Sequence, residues 1–331
     1  MPAGAAQENC SSPPDWLGLR MESADLASKD GRDAPAATEP AATLGWSVGM
    51  PALLVFLWST GFIGAKYGLP YAEPFTFVAI RFAIAAVILV VYAMLSGAPW
   101  PRSPAAMFHT AVVGMLLHGT YLTGVFVAIA SGTPAWVAAL MTGLHPLLTA
   151  VLAGLTVGER IRPLQWLGFA LGLAGIGLVL WRGGPETTIP NLGLIACGCG
   201  LAALTGGSLY QKRFGTATDL RSGQAIQQLA AFALVLPFAL AFETGEVRWT
   251  GEFVFALAWL TGVLSIGMFT LLYMLIRRGA ASKVASLFYL VPPLVAVETF
   301  FLFDEVVTLR HVAGMVLAGA GVALVTKAPR A

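Results

Sequence analysis

Ten apolar segments, each about long enough to cross a hydrocarbon core, recur from residue 46 to residue 327 and leave the chain few choices of fold. They run approximately over 46–66, 75–95, 106–128, 134–155, 163–181, 191–211, 223–242, 253–276, 281–303 and 309–327. A bilayer core of roughly 30 Å takes about 20 helical residues. Backbone groups in lipid find no water, so segments of this kind must close their hydrogen bonds within helices. The connections are short and carry turn-forming residues, as at Gly68 to Pro70, Gly97 to Pro101, Gly183 to Pro190 and Gly245. Composition agrees, with 57% hydrophobic and 11% charged residues against about 25% charged in soluble domains. The expected fold is an all-α polytopic membrane protein with ten transmembrane helices.

Residues 1–44 read differently. They hold seven of the 17 acidic residues (Glu8, Asp15, Glu22, Asp25, Asp30, Asp33, Glu39) among repeated Pro, Ala and Ser, with too little apolar surface to order themselves. A disordered cytoplasmic tail is expected. No basic stretch leads into an apolar one there, so a signal peptide is not expected, and Met21 is a second candidate start. A net charge of +2 supplies no dense basic patch, which argues against a nucleic-acid partner. Of the three cysteines, Cys197 and Cys199 fall in an apolar run. They are expected to pack as small residues and to bind no metal, since a structural site wants about four ligands.

Basic loops set the orientation of such a chain. With a cytoplasmic N-terminus, the inner side carries Arg102, Arg160, Arg162, Lys212, Arg213, Arg221, Arg277, Arg278, Lys283, Lys327 and Arg330, and the outer side Lys66, Arg182, Arg248 and Arg310. Eleven against four places both termini inside. A shift of 146 residues then superposes Lys66 on Lys212, Glu73 on Asp219, Arg102 on Arg248, Pro146 on Pro292, Glu159 on Glu305, Gly168 on Gly314 and Gly175 on Gly321 without a gap. The chain reads as two five-helix repeats, 45–182 and 191–328. Because five is odd, the second repeat enters the membrane from the opposite side, and the halves are related by a pseudo-two-fold axis in the membrane plane, a transporter device.

The stretch Trp58, Ser59, Thr60, Gly61, Phe62, the Arg81-Phe82 pair, and the twice-occurring spacing of Pro146, Glu159, Gly168, Gly175 and Pro292, Glu305, Gly314, Gly321 resemble the EamA branch of the drug/metabolite transporter superfamily. The resemblance covers roughly residues 46–327. It implies a ten-helix inner-membrane carrier with inverted halves and a central cavity, moving small metabolites, often amino acids or related compounds and often outward.

Intramembrane charges are functional candidates, because even lenient scales charge about +2.5–3.5 kcal/mol for one at a helix centre. Only Arg81 and Glu298 qualify, at similar depth from the outer surface. An ion pair between them, a strut between helices, snorkelling of the arginine to the headgroups, and a gate or substrate role all fit. The second half carries Gln227 at the Arg81 register. Trp58, His118, Tyr121, His145 and Tyr289 lie near the midplane and have no counterpart under the shift, as a cavity specific for one solute would show; bonding to neighbouring helices is the plainer reading of each. Pro146 and Pro292 fall within helices and suit either a structural kink or a hinge. Gly168 to Gly172 and Gly314 to Ala318 are small-residue pairs that let helices approach closely, within a protomer or across a homodimer. Glu159 and Glu305 are expected to cap or contact loops at helix ends.

Motifs of other chemistries are thin. The chain has no GxxxxGK[ST] loop, no HExxH and no GxSxG, and no cofactor is expected. Ser208 after Gly206-Gly207 could mimic an intramembrane serine protease, but no convincing base accompanies it. A non-transporting receptor or scaffold would carry larger ordered loops. A small-molecule substrate and the lipid bilayer are the expected partners. Reporter fusions at residues 186 and 331 should report opposite sides of the membrane; the same side for both would reject ten spans.

Overall fold

The computed structural model describes residues 49–157, 163–181, 189–215, 218–268, 270–271, 274–275 and 288–327. The amino-terminal tail, Glu159 and the loop carrying Arg182 lie outside these. The helices are α1 (Met50–Gly68), α2 (Pro74–Leu95), α3 (Pro104–Ala130), α4a (Ala135–Thr142) and α4b (His145–Val157), α5 (Pro163–Val179), α6 (Asn191–Phe214), α7 (Leu220–Phe242), α8 (Gly251–Met268), α9 (Val291–Phe303) and α10 (Leu309–Lys327). A 3₁₀ turn at Phe288–Leu290 leads into α9. Seven spans are long and apolar enough to cross a membrane, and α5, α9 and α10 supply the shorter apolar helices. With α4a and α4b as one span, the chain is the expected ten-span, all-helical membrane protein. Pro74, Pro104 and Pro163 open their helices, at the one position where a missing N–H costs nothing.

The repeat is visible in the packing. Helices α5 and α10 cross through their glycines: a Cβ on Gly168 would stand 2.7 Å from the Gly321 carbonyl oxygen, and one on Gly314 2.7 Å from that of Gly175. Under the 146-residue shift, each of these contacts is the other's mate. Gly172, from the same small-residue series, lies against Leu147 and close to Gly321. These glycines are therefore used within one protomer and provide no surface for a second.

Helices α2 and α7 are laced at both ends. At one end the Glu243 carboxylate accepts from the backbone N–H of Phe75 at 2.8 Å and of Thr76 at 2.6 Å, capping α2 from the far end of α7. Glu73 returns the contact, accepting from the N–H and the hydroxyl of Thr244, both at 2.8 Å. At the other end Arg221 donates to the Ser96 carbonyl at 3.0 Å and Ser222 to that of Pro99 at 2.7 Å. Asp219 caps its own helix through the Arg221 N–H, and its bond to the Arg221 side chain pulls its carboxyl below the usual range.

Glu305 also caps a helix, though not the one that follows it. Its carboxylate accepts from the Ala135 N–H at 3.2 Å, at the start of α4a, and pairs with Lys66 at the end of α1. Lys66 lies over the Phe303 ring, 4.9 Å from its centroid. One acid thus ties together the ends of α1, α4a and α9.

The departures from α-helix fall at matching places. A π-helical stretch interrupts α3 at Met115–Thr120, and another ends α8 at Trp259–Met268; the 146-residue shift carries the first inside the second. Helix 4 breaks at Gly143 and Leu144, just before Pro146, and the 3₁₀ turn before Pro292 occupies the same register. Pro146 thus follows a break in its span and Pro292 a 3₁₀ turn, and a proline leaves the carbonyl four residues back without an α-helical partner.

The glycine crossing predicts a contrast. Gly168→Val should lower stability by about 1–3 kcal/mol, because a side chain there meets backbone that cannot yield. Gly177 has nothing within 4 Å of an added Cβ, so Gly177→Ala should be neutral or stabilise by up to about 1 kcal/mol. Melting of the purified protein in detergent compares the two.

Candidate substrate site

Arg81 comes seven residues after the start of α2, about 10 Å along its axis, and is 5% exposed. Its Nη2 donates to the Ser265 hydroxyl at 3.4 Å. Ser265 belongs to the π-helical part of α8, and its hydroxyl reaches the Leu260 carbonyl, five residues back, at 3.1 Å. On the other side of the pseudo-two-fold, His118 Nε2 and Gln227 Oε1 are 3.2 Å apart. Gln227 is the Arg81 register in the second half. His118, in the π-helical part of α3, matches Leu264, the neighbour of Ser265. Each half therefore sends a polar side chain from its second helix into the π turn of the other half's third helix. A π turn holds one residue more than an α turn and marks functional sites disproportionately. A Cβ on Gly114 would sit 2.8 Å from the Gln227 carbonyl carbon, so the absent side chain is what brings α3 and α7 close enough for the histidine to reach.

Tyr121 lies one turn beyond His118, 5% exposed, beside the Trp58 and Thr142 side chains and within electrostatic reach of Arg81. Trp58 meets the Phe288 ring edge-on, with centroids 4.6 Å apart. Trp58, His118, Tyr121, Arg81 and Gln227 thus gather into one polar cluster drawn from α1, α2, α3 and α7 and joined by Ser265 of α8, buried at Arg81, His118, Tyr121 and Ser265 and half-buried at Trp58 and Gln227. Tyr289 lies elsewhere, against Leu140, Gly143, Pro292 and Met315 in a cleft of about 10 Å³ between α4, α9 and α10. His145 opens α4b at the break, half-buried.

Arg81 and Glu298 do not pair. The Glu298 carboxylate takes the Ser59 hydroxyl at 2.8 Å, whose other acceptor is the Phe56 carbonyl at 2.7 Å, while Arg81 turns to Ser265. Similar depth did not bring them together, because α2 packs on α7 and α9 packs on α1 and α4a. The snorkelling arrangement is not adopted either, since the Arg81 side chain is enclosed.

Ser59, Ser265, Thr142 and Phe288 belong to this region and were not singled out from sequence as site residues. Small hydroxyls in apolar helices are common, and most bond back to their own helix, as Thr110 does to Ala106 at 2.8 Å. Nothing in their spacing sets apart the ones that reach across.

Double-mutant cycles separate these contacts. Ser59→Ala with Glu298→Gln should show a coupling of about 1.5–3 kcal/mol, as for a hydrogen bond to a charged group, whereas Arg81→Gln with Glu298→Gln should add to within about 0.5 kcal/mol. Stability in detergent is the readout, and strong coupling in the second cycle would restore the direct pair.

Comparison with known proteins agrees with this architecture. The chain is similar to the uncharacterized transporter YvbV of Bacillus subtilis (strain 168), at 26% identity over 287 residues, 85% of this chain and 91% of that one. It is similar also to the uncharacterized inner membrane transporter YedA of Escherichia coli (strain K12), at 28% identity over 252 residues, 74% and 78% of the two chains. A crystal structure shares the fold with a TM-score of 0.60 at 24% identity, covering 84% of this chain and 95% of its own. The family model of EamA-like transporters matches twice, over residues 45–181 and 193–327. Two matches that together take in most of the chain mean that it belongs to the EamA-like transporter family.

Proposed function

We propose that the protein exports small metabolites, amino acids or related compounds, across the inner membrane by alternating access, and is not an enzyme. The two halves, 45–182 and 191–328, rock about a site near the bilayer midplane. Both termini face the cytoplasm, and the end carrying Lys66 and Glu305 faces outward. The observation that carries this reading is the swapped contact of each second helix with the π turn of the opposite half, His118 with Gln227 and Arg81 with Ser265. A site built across the interface of two inverted halves is remade whenever they move relative to each other, and this makes such interfaces the place where carriers hold their solute.

In this reading Trp58, His118, Tyr121, His145 and Tyr289 line the path, and Arg81, Gln227 and Glu298 are its intramembrane polar groups. Pro146 and Pro292 serve as hinges, supported by the helix break before the first and the 3₁₀ turn before the second. The tie of Glu305 to Lys66 and the Ala135 N–H closes the outer end, because α1, α4a and α9 cannot separate while one carboxylate bonds to them all. Partnership with a second copy of the chain is not required.

The test is flux with the purified protein in liposomes loaded with a labelled metabolite panel of amino acids, amines, nucleobases and organic acids. Saturable, protein-dependent movement of at least one is expected; chemical conversion in its place would make the protein an enzyme. In a background lacking Cys10, Cys197 and Cys199, single cysteines replacing His118 or Tyr121 should react with a small water-soluble thiol reagent and be protected by the transported solute. One replacing Gly172, packed on Leu147 and near Leu144, should not react. No labelling at either site position would return His118 and Tyr121 to packing roles.

A further inference from the structure

Arg81 is a full positive charge, 5% exposed, without an acid. The ion pairs formed among the described residues are Lys66 with Glu305 and Arg221 with Asp219. Its Nε has no hydrogen-bond partner, and its one side-chain bond, to Ser265, is long at 3.4 Å. The same register in the second half shows how a neutral residue is satisfied there: Gln227 meets His118 at 3.2 Å. A guanidinium presents five donors in a planar fork that fits a carboxylate bidentately. Leaving most of that fork unused in a low-dielectric interior is costly unless an anion visits.

Resting on the transport reading above, we infer that Arg81 binds the carboxylate of the transported solute and selects for solutes that carry one. The fork approaches the two carboxylate oxygens from α2. Tyr121 and His118, both within its electrostatic reach, flank it from α3; Tyr121 supplies a hydroxyl to the same group, while the His118 ring stays on Gln227. Ser265 holds the guanidinium while the site is empty and gives it up on binding, which a 3.4 Å bond allows at little cost. The counter-charge arrives with the solute and leaves with it, so the empty carrier holds an unsatisfied cation and the loaded one does not. That difference favours loading by carboxylates over the matching amides, which keep shape and size but lack the charge.

Thermal stabilisation of the purified protein tests this with the twenty proteinogenic L-amino acids, acetate, lactate, succinate and benzoate, each beside its primary amide. At least one carboxylate should bind ten-fold or more tightly than its amide. Arg81→Gln should remove that preference, weakening the carboxylate ten-fold or more while leaving the amide within two-fold. Arg81→Lys, which keeps charge without the fork, should fall between. Retained amide binding shows that the variants are folded. Overturning results are a carboxylate preference that survives in Arg81→Gln, equal binding of carboxylates and amides by the wild type, or no carboxylate bound at all. Liposome flux separates this from the parent reading. Transport of only neutral solutes or amines leaves the carrier standing and removes the role of Arg81, whereas no flux of any solute removes the carrier itself.

Discussion

Lipid offers the backbone no hydrogen-bond partner, and everything else in this molecule is shaped by that. Each span must satisfy itself as a helix, so each place where it stops being one has to be enclosed by protein. The departures lie at the π turn of α3, the π turn of α8, the break of helix 4 and the 3₁₀ turn before α9. The two π stretches bury His118, Gly119, Leu264 and Ser265, the 3₁₀ turn is only half-buried, and the four departures occur as two pairs in one register. A single defect could be an accident of one helix, but a defect repeated at an offset of 146 residues belongs to the unit that was duplicated. Irregular backbone is therefore part of the repeated scaffold rather than an accident of one span.

The inversion of the halves decides what meets what. A helix and its pseudo-symmetric mate can pack only about the two-fold, as α5 and α10 do through glycines and α2 and α7 do through exchanged acids. Glu243 caps α2 and Glu73 bonds the chain leaving α7, so each helix closes the other's end groups. These are the joints of a symmetric scaffold, and their residues recur in both halves or lie beside residues that do. The residues of the polar cluster do not recur. Arg81 faces a serine where Gln227 faces a histidine, and Trp58 has Leu204 at its register. A two-fold scaffold that encloses an asymmetric interior is suited to hold one orientation of a solute.

How much of this the sequence made legible follows from the range of each interaction. Span count and the repeat rest on periodic apolarity and on rare residues in register, which are one-dimensional signals. The glycine crossing was legible as close packing, but its partner was not, because small residues say that something approaches without saying what. Depth along a helix was legible for Arg81 and Glu298. Azimuth was not, since it depends on which neighbours each helix packs against, and α2 and α9 turned out to face different ones. The π turns were also out of reach: Met115 to Thr120 has nothing that distinguishes it from ordinary helix except Gly119 and Thr120, whose hydroxyl bonds the Met115 carbonyl five residues back. Glu305 illustrates the same boundary. Its place at a helix end was readable, and a cap was the expected use, but the helix it caps is 170 residues away.

The two charged arrangements, Lys66 with Glu305 at the bundle's end and Arg81 within it, show how position changes the meaning of a charge. At the end both signs are present, and the Glu305 carboxylate, with its side chain 9% exposed, has a cation and a backbone N–H to satisfy it. Inside, a charge that cannot reach water must find its complement in the protein or in what the protein carries. The Gln227–His118 contact shows that this fold can fill the Arg81 register with a neutral residue and satisfy it. A cation at that register, with only a serine to hold it, is therefore not a requirement of packing. Ser265 takes one of its donors, and burial makes the remaining donors costly to leave unpaired.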